Sequence, residues 1–260
     1  MEERKRRIRL IVAYDGTEYC GWQIQKNGVT IEGELTRGLC ELLGEEVEVT
    51  GASRTDSGVH ALGNIAVFDT ESRIPADKFA AALNGYLPED IRVQQSDEVS
   101  PEYHPRYQKT EKTYEYTVLN TRIELPIWRR YSYHVYQELN IEAMRESAKM
   151  LEGEHDFSAF CSAGSQVISK VRTVYEVSVR EEEISTGNGG RLLRIRVRGN
   201  GFLYNMVRII AGTLVEVGMG RRTVESIREA LETGDRQKAG PTAPPQGLML
   251  VEIKNLEENS

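Results

Sequence analysis

The chain has 260 residues, with 33 Lys and Arg against 40 Asp and Glu and a formal charge of −7, a length that suits one large domain or two small halves. No apolar run approaches the ~20 residues of a membrane-spanning helix, and the charged start, Met1-Glu-Glu-Arg-Lys-Arg-Arg, lacks the apolar core of a secretory leader. Cys20, Cys40 and Cys161 are widely spaced and the four histidines (His60, His104, His134, His155) form no His-Glu-x-x-His pair, which argues against a disulfide framework and a metal site and for a reducing cytoplasm.

The predicted elements follow in chain order. Ile8, Leu10, Val12 and Tyr14 alternate on a first strand. Thr30 caps a helix to Leu43 with Ile31, Leu35 and Leu39 on one face, and Gly44 sits at its end. Val47–Thr50 and Asn64–Thr70 read as strands, Pro75 opens a second helix with Phe79, Ala82 and Leu83 inward, and Ile91–Gln95 is a strand. Lys112–Asn120 and Tyr131–Tyr136 are strands, and Asn140 caps a helix that carries Met144, Ala148 and Leu151 and ends at Gly153. Val171–Arg180 and Leu192–Arg198 are strands joined by a polar hairpin tip at Glu181–Gly190. Phe202–Val217 is a helix, Thr223 caps another that Gly234 closes, a proline-bearing loop follows to Gly247, and Leu248–Lys254 is the last strand. The pattern is α+β, built from two similar halves with a junction near residues 101–112.

The unusual stretch is Gly51-Ala-Ser-Arg54-Thr-Asp56-Ser-Gly58-Val-His60-Ala61, between two predicted strands. It is longer and more charged than a hairpin needs. Asp-Ser-Gly is also good turn chemistry, so composition alone leaves an ordinary turn open.

These residues resemble the catalytic loop of the bacterial tRNA pseudouridine synthases that act on the anticodon arm, the A family. Four further segments agree in order: Tyr14-Asp-Gly-Thr-Glu-Tyr-Cys-Gly-Trp-Gln23, Tyr103-His-Pro-Arg106 with Lys112-Thr-Tyr114-Glu-Tyr116, Asn200-Gly-Phe202-Leu-Tyr-Asn-Met206-Val-Arg208, and Gly247-Leu248-Met-Leu-Val. Ser53 and Ser57 stand where the family commonly has Gly and Ala. Both are small, so they bear on fine substrate preference more than on the reaction.

The resemblance implies two similar α/β halves joined around a central basic cleft: residues 1–105 carrying the catalytic Asp loop, and residues 106–260 carrying the active-site Tyr and Arg. It implies a cytoplasmic homodimer that isomerises uridine to pseudouridine at tRNA positions 38, 39 and 40 on an everted base, with no cofactor, no metal and no membrane partner. Asp56 is then the nucleophile, Arg208 its cationic companion, Tyr114 the ring against the target base, Arg54 the side chain that enters the RNA, and Leu248 an apolar contact. The chemistry is consistent with those types. Uridine to pseudouridine breaks N1–C1′ and makes C5–C1′ with no redox change, so it needs a nucleophile to hold base or sugar in between. A carboxylate is ionised at neutral pH without a partner base, and a guanidinium keeps it so when burial opposes this. Attack at C6 and action at C1′ both remain open, as does a role for the Tyr114 phenol in removing the C5 proton. Tyr116 and His60 read as structural.

A net negative chain still binds RNA through a local basic face, because salt screens fields beyond ~8 Å. Arg194, Arg196 and Arg198 alternate with Leu193, Ile195 and Val197, which predicts a guanidinium row; Arg221 and Arg222, and Arg4, Lys5, Arg6, Arg7 and Arg9, add candidates. A solvated outer strand face gives the same pattern. Two rival functions stand beside the isomerase: an idle RNA-binding module with this fold, and a hydrolase pairing Asp56 with a second acid, for which only Asp69 and Glu71 lie nearby.

Overall fold

The structure, a computed structural model, describes residues 5–164, 167–185 and 189–256. Arg4 and residues 186–188 of the expected hairpin tip lie outside the described residues. The chain divides into two compact units, Met1–Thr110 with Leu250–Ser260, and Glu111–Met249. Each combines β-strands with helices, so the chain is α+β.

In the first unit, β1 (Arg6–Tyr14) lies antiparallel between β3 (His60–Thr70) and β4 (Ile91–Val99). Its two-residue period works as the sequence predicts: Ile8, Leu10, Val12 and Tyr14 are buried. The opposite face carries Arg7 and Arg9, and the register places an acid beside each. Arg7 holds Asp69 through two bonds of 2.7 and 2.8 Å, and Arg9 holds Asp97 at 2.8 and 3.0 Å. Arg6 likewise bonds to Glu98 at 2.8 Å, so three arginines of the basic start are paired across strands. The α1 helix (Ile31–Leu43) has the predicted ends: Thr30 Oγ1 accepts the Gly33 N–H at 3.2 Å, and Gly44 closes it at φ 71°. A 3₁₀ turn at Ala76–Lys78 leads into α2 (Phe79–Leu83), whose Phe79 and Leu83 are buried while Ala82 is half-buried. Val47 and Val49 are buried, but the backbone pairs only at β2 (Thr50–Gly51), against Val67 and Ala66.

In the second unit, β5 (Thr110–Asn120), β9 (Arg191–Gly199), β8 (Val171–Glu183) and β7 (Gly153–Asp156) run in that order, antiparallel. A short β6 (Tyr133–Val135) adds to β5 in parallel. The α3 helix (Ile141–Lys149), capped by Asn140, packs on β8 and on α4 (Met206–Gly218). The α5 helix (Glu225–Thr233) ends at Gly234, with φ 65°. The last strand, β10 (Leu248–Asn255), passes from the second unit into the first at Leu250.

One predicted helix starts late. Phe202–Val217 is helical only from Met206, because Asn205 takes φ 60°, a left-handed conformation that a right-handed helix cannot continue through. The Thr223 cap is also displaced: the α5 N-cap is Val224, and the Thr223 carbonyl accepts from Ser226.

Candidate active site

The loop between β2 and β3 spans residues 52–59, since His60 and Ala61 already belong to β3. It is held by the segment Tyr14–Trp22 that follows β1. The Trp22 N–H donates to Thr55 O (3.1 Å), and the Gly58 N–H and Ser57 hydroxyl both donate to Tyr19 O (3.3 and 3.1 Å). The Tyr14 and Thr55 hydroxyls share a 2.7 Å bond, and the buried Asn64 amide donates to Ser53 O at 2.9 Å. Asp56 closes its own turn, its carbonyl accepting the Val59 N–H at 3.1 Å. The loop is therefore braced on two sides: its middle and far end bond to the Tyr14–Trp22 segment, and its start bonds to Asn64 of β3.

That closeness explains two glycines. A Cβ on Gly16 would lie 2.0 Å from Val59 O, and one on Gly21, at φ 88°, 2.6 Å from Thr55 O. The bracing segment itself is anchored: the buried Tyr19 phenol donates to Asp90 at 2.5 Å, and burial and that carboxylate together push the phenol's pKa well above its ordinary value. His60 is buried and its Nδ1 accepts the Gly16 N–H (3.1 Å), the structural role its sequence position suggests.

On this scaffold Asp56 is half-buried, while Arg54, two residues before it, is exposed and bonds to no other described residue. The acids that would make Asp56 half of a hydrolytic pair are otherwise placed. Asp69 is the bidentate partner of Arg7, whose guanidinium holds its carboxyl below the ordinary range, and Glu71 is exposed.

The second unit gathers Tyr114, Arg208 and Leu248. Tyr114 is buried on β5 and meets Phe202 edge-on at 5.3 Å and 88°. Phe202 precedes α4, whose first turn carries Arg208. Among the bonds that hold the Arg208 guanidinium, Nε donates to Ala243 O (2.8 Å) and Nη1 to Asn205 Oδ1 (2.7 Å). The left-handed turn that delays α4 is thus what aims Asn205 back at Arg208. Ala243 sits in a strap that crosses α4 where Gly212 leaves room, since a Cβ there would be 2.0 Å from Pro241 O. The strap is tied by the Gly240 N–H to Thr213 Oγ1 (2.8 Å) and by the Ala243 N–H to Arg208 O (3.1 Å). One residue further, Pro244 O accepts the hydroxyl of Tyr116, a fully buried ring, at 2.8 Å. Leu248, buried, begins β10 directly after this strap.

The arginine row has a different character from the bare face that its alternation predicts. Arg198 pairs with Glu111 (2.7 Å) and Glu176 (3.5 Å) and lies over Tyr175. Arg194 pairs with Glu115 (3.4 Å) and Glu182 (3.7 Å), donates to Thr117, and lies over Trp128. Register brings these acids in: Arg198 faces Thr113 and Glu176, and Arg196 faces Glu115 and Ser178. Arg196 itself has no ion pair among the described residues. Arg222 is held by Glu216 and by Lys238 O (2.7 Å), whereas the Arg221 side chain is exposed and unpaired among the described residues. Reading by residue type missed the bracing segment, Asn205 and the strap; Gly16 and Gly21 were the visible signal for the first of these.

Among the described residues no helix is long and apolar enough to cross a membrane, and no group of three His, Cys, Asp or Glu side chains is placed to hold a metal ion.

With this geometry in hand, known proteins give a consistent match. The profile of the tRNA pseudouridine synthase family matches residues 10–108 and 147–254. Proteins named tRNA pseudouridine synthase A are similar over nearly the whole chain: one from Ruminiclostridium cellulolyticum is 50% identical over 250 residues, covering 95% of this chain and 99% of that one. Another, from Thermoanaerobacter sp. (strain X514), is 46% identical over 248 residues with the same coverage. Among solved structures, an H/ACA RNP bound to a substrate RNA containing 2'-deoxyuridine is similar at TM-score 0.35 and 15% identity, over 80% of this chain and 44% of that one, a likeness too slight to carry an argument. The chain belongs to the tRNA pseudouridine synthase family. It is an isomerase that acts on tRNA uridines.

Proposed function

We propose that the protein converts uridine to pseudouridine at positions 38, 39 and 40 of the tRNA anticodon stem-loop, with Asp56 as the nucleophile on an everted nucleotide. The observation that carries this reading is an acid half-buried in a braced loop with an exposed arginine two residues before it that has no partner among the described residues. Eversion costs a few kcal/mol of stacking. Arg54 offsets part of this by filling the vacated space, since a planar guanidinium stacks and binds phosphate together. Tyr114 takes one face of the everted base and Leu248 an apolar edge, and base–aromatic stacking of this kind is worth ~1–3 kcal/mol. Arg208, already held by Ala243 and Asn205, keeps the Asp56 carboxylate ionised and oriented, so little reorganisation is left for the reaction itself.

The steps balance without a co-reactant. The carboxylate bonds to base or sugar as N1–C1′ breaks; the base turns; C5 bonds to C1′; the bond to the carboxylate breaks and its electron pair returns to Asp56; the C5 proton leaves and N1 gains one. The products are an isomer of the nucleotide and a free enzyme.

RNA positioning beyond the target nucleotide falls first to those of the candidate arginines that have no ion pair among the described residues, Arg54, Arg196 and Arg221. Arg194, Arg198 and Arg222 contribute through the field they share with their carboxylates. Contacts of this kind place the RNA without reading its sequence. The protein acts as a cytoplasmic homodimer in this reading.

The test uses tRNA transcript labelled with tritium at uridine C5. The reading expects tritium release with no base lost from the RNA, and pseudouridine mapped only to positions 38 to 40. Binding without release would support an idle RNA-binding module, and free uracil would support a hydrolase.

A further inference from the structure

The segment Tyr103–Gln108 has no part in the chemistry above, yet it is built into the foot of the Asp56 loop. It is fixed to the first unit at its start: Arg7 Nη1 donates to Tyr103 O at 2.9 Å, and the Arg9 guanidinium lies over the Tyr103 ring at 5.6 Å. Two local bonds then fold it tightly. The Arg106 N–H donates to His104 Nδ1 (3.2 Å) and the Tyr107 N–H to His104 O (3.1 Å). In consequence the His104 ring stacks on Tyr107, centroids 4.1 Å apart and planes 23° from parallel, while Tyr107 stays 83% exposed. An ordered aromatic ring so open to water is a ready surface for a second flat ring.

Arg106 connects this platform to the loop. Its Nε donates to Gly51 O at 2.8 Å, at the residue where β2 ends and the Asp56 loop begins. That bond uses one of five guanidinium donors. The Nη groups have no partner among the described residues, so a fork anchored through Nε presents its other edge for a pair of anionic oxygens. Bidentate phosphate binding is the use to which such an edge is suited.

We propose that Arg106 and Tyr107 form a subsite for the RNA strand beside the target nucleotide, with Arg106 taking one backbone phosphate and Tyr107 stacking a neighbouring base. The inference rests on the reading that RNA is brought to Asp56.

Full-length protein and unmodified tRNA transcript test it. Arg106→Gln is expected to raise Kd about tenfold and to reduce the slope of log Kd against log salt by about 0.7–0.9, the share of one phosphate. Tyr107→Ala is expected to raise Kd at least about fivefold with the slope kept, because stacking releases no counterion. In both, KM rises in step with Kd while kcat at saturating RNA falls by less than about threefold, and Arg106→Lys keeps the slope. Wild-type Kd and slope in Arg106→Gln, or a fall in kcat with KM untouched, would overturn the subsite and leave Arg106 as a brace for Gly51. If Arg106→Gln fails to fold, Tyr107→Ala decides alone, since its ring is exposed; an unchanged Kd there is a refutation. Tritium release by wild-type protein with no shift in either variant defeats the subsite only, whereas no release by wild-type protein defeats the Asp56 reading and the subsite with it.

Discussion

Gly21→Ala perturbs the loop without touching any side chain proposed to meet RNA. Gly21 has φ 88°, and a Cβ there would lie 2.6 Å from Thr55 O, 3.1 Å from Asp56 C and 3.1 Å from Ser57 N. Ordinary contact begins at 3.4 Å, so the Thr55 carbonyl must retreat by about 0.8 Å. The next residue is Asp56, so that retreat moves the carboxylate's own backbone. A misplacement near 1 Å costs on the order of 10²-fold in rate. Left-handed φ costs ~1–2 kcal/mol for a residue with a Cβ, and overpacking adds ~1–3 kcal/mol. The expected result is a kcat for tritium release about 10²-fold down, KM within about threefold, and a melting temperature lower by at least about 5 °C. Gly44→Ala is the control. It has φ 71° and nothing within 4 Å of the new Cβ, so it should lose stability through strain alone and keep its kcat. Wild-type kcat in Gly21→Ala, or an equal loss in Gly44→Ala, would refute the argument that backbone packing sets the carboxylate's position.

Three further outcomes are expected. Asp69 titrates below its ordinary range, first because Arg7 hydrogen-bonds to it. Its stabilisation is therefore complete above about pH 4, the unfolded value, and is lost as pH falls through the lower folded value. Asp69→Asn should flatten the acid limb of an unfolding-versus-pH curve and cost about 1 kcal/mol or less at pH 7, because the pair is partly exposed; an unchanged acid limb would count against the pairing. Arg196→Gln should reduce the salt slope of tRNA binding by somewhat under one unit, while Arg198→Gln, which strands Glu111 and Glu176, should weaken binding more than one lost contact accounts for; equal binding in all three proteins would place the RNA away from this strand. Tyr116→Phe leaves the Pro244 carbonyl without its 2.8 Å donor and should cost ~1–3 kcal/mol in denaturant unfolding, with no loss meaning that the strap is held elsewhere.

Much of the fold was readable because local rules decided it. Thr30 and Gly44 bracket α1 as capping chemistry requires, and alternate residues of β1 are buried. The late start of α4 was not readable, because apolar spacing runs on through Phe202 while one left-handed backbone at Asn205 breaks the helix. The site divides in the same way. Asp56, Arg54, Tyr114 and Arg208 stand in segments dense enough in motif to be picked from the sequence. Their supports come from register and from distant chain: Glu111 reaches Arg198 across 87 residues, and Ala243 reaches Arg208 across 35. Alternation shows that three arginines share a strand face, but not that the strands on either side bring four carboxylates to it. Composition likewise cannot tell an arginine held by an acid, such as Arg7, from an open one such as Arg54.

The central claim is that the Asp56 carboxylate forms the covalent bond. Single-turnover release of tritium from C5-labelled tRNA, with enzyme in excess, compares wild-type protein with Asp56→Asn, which keeps the size but removes the charge and turns one acceptor oxygen into a donor. The account predicts tRNA binding within about threefold of wild type and no release above the uncatalysed background. Release by Asp56→Asn at the wild-type rate would contradict it, and would assign the nucleophile to another group.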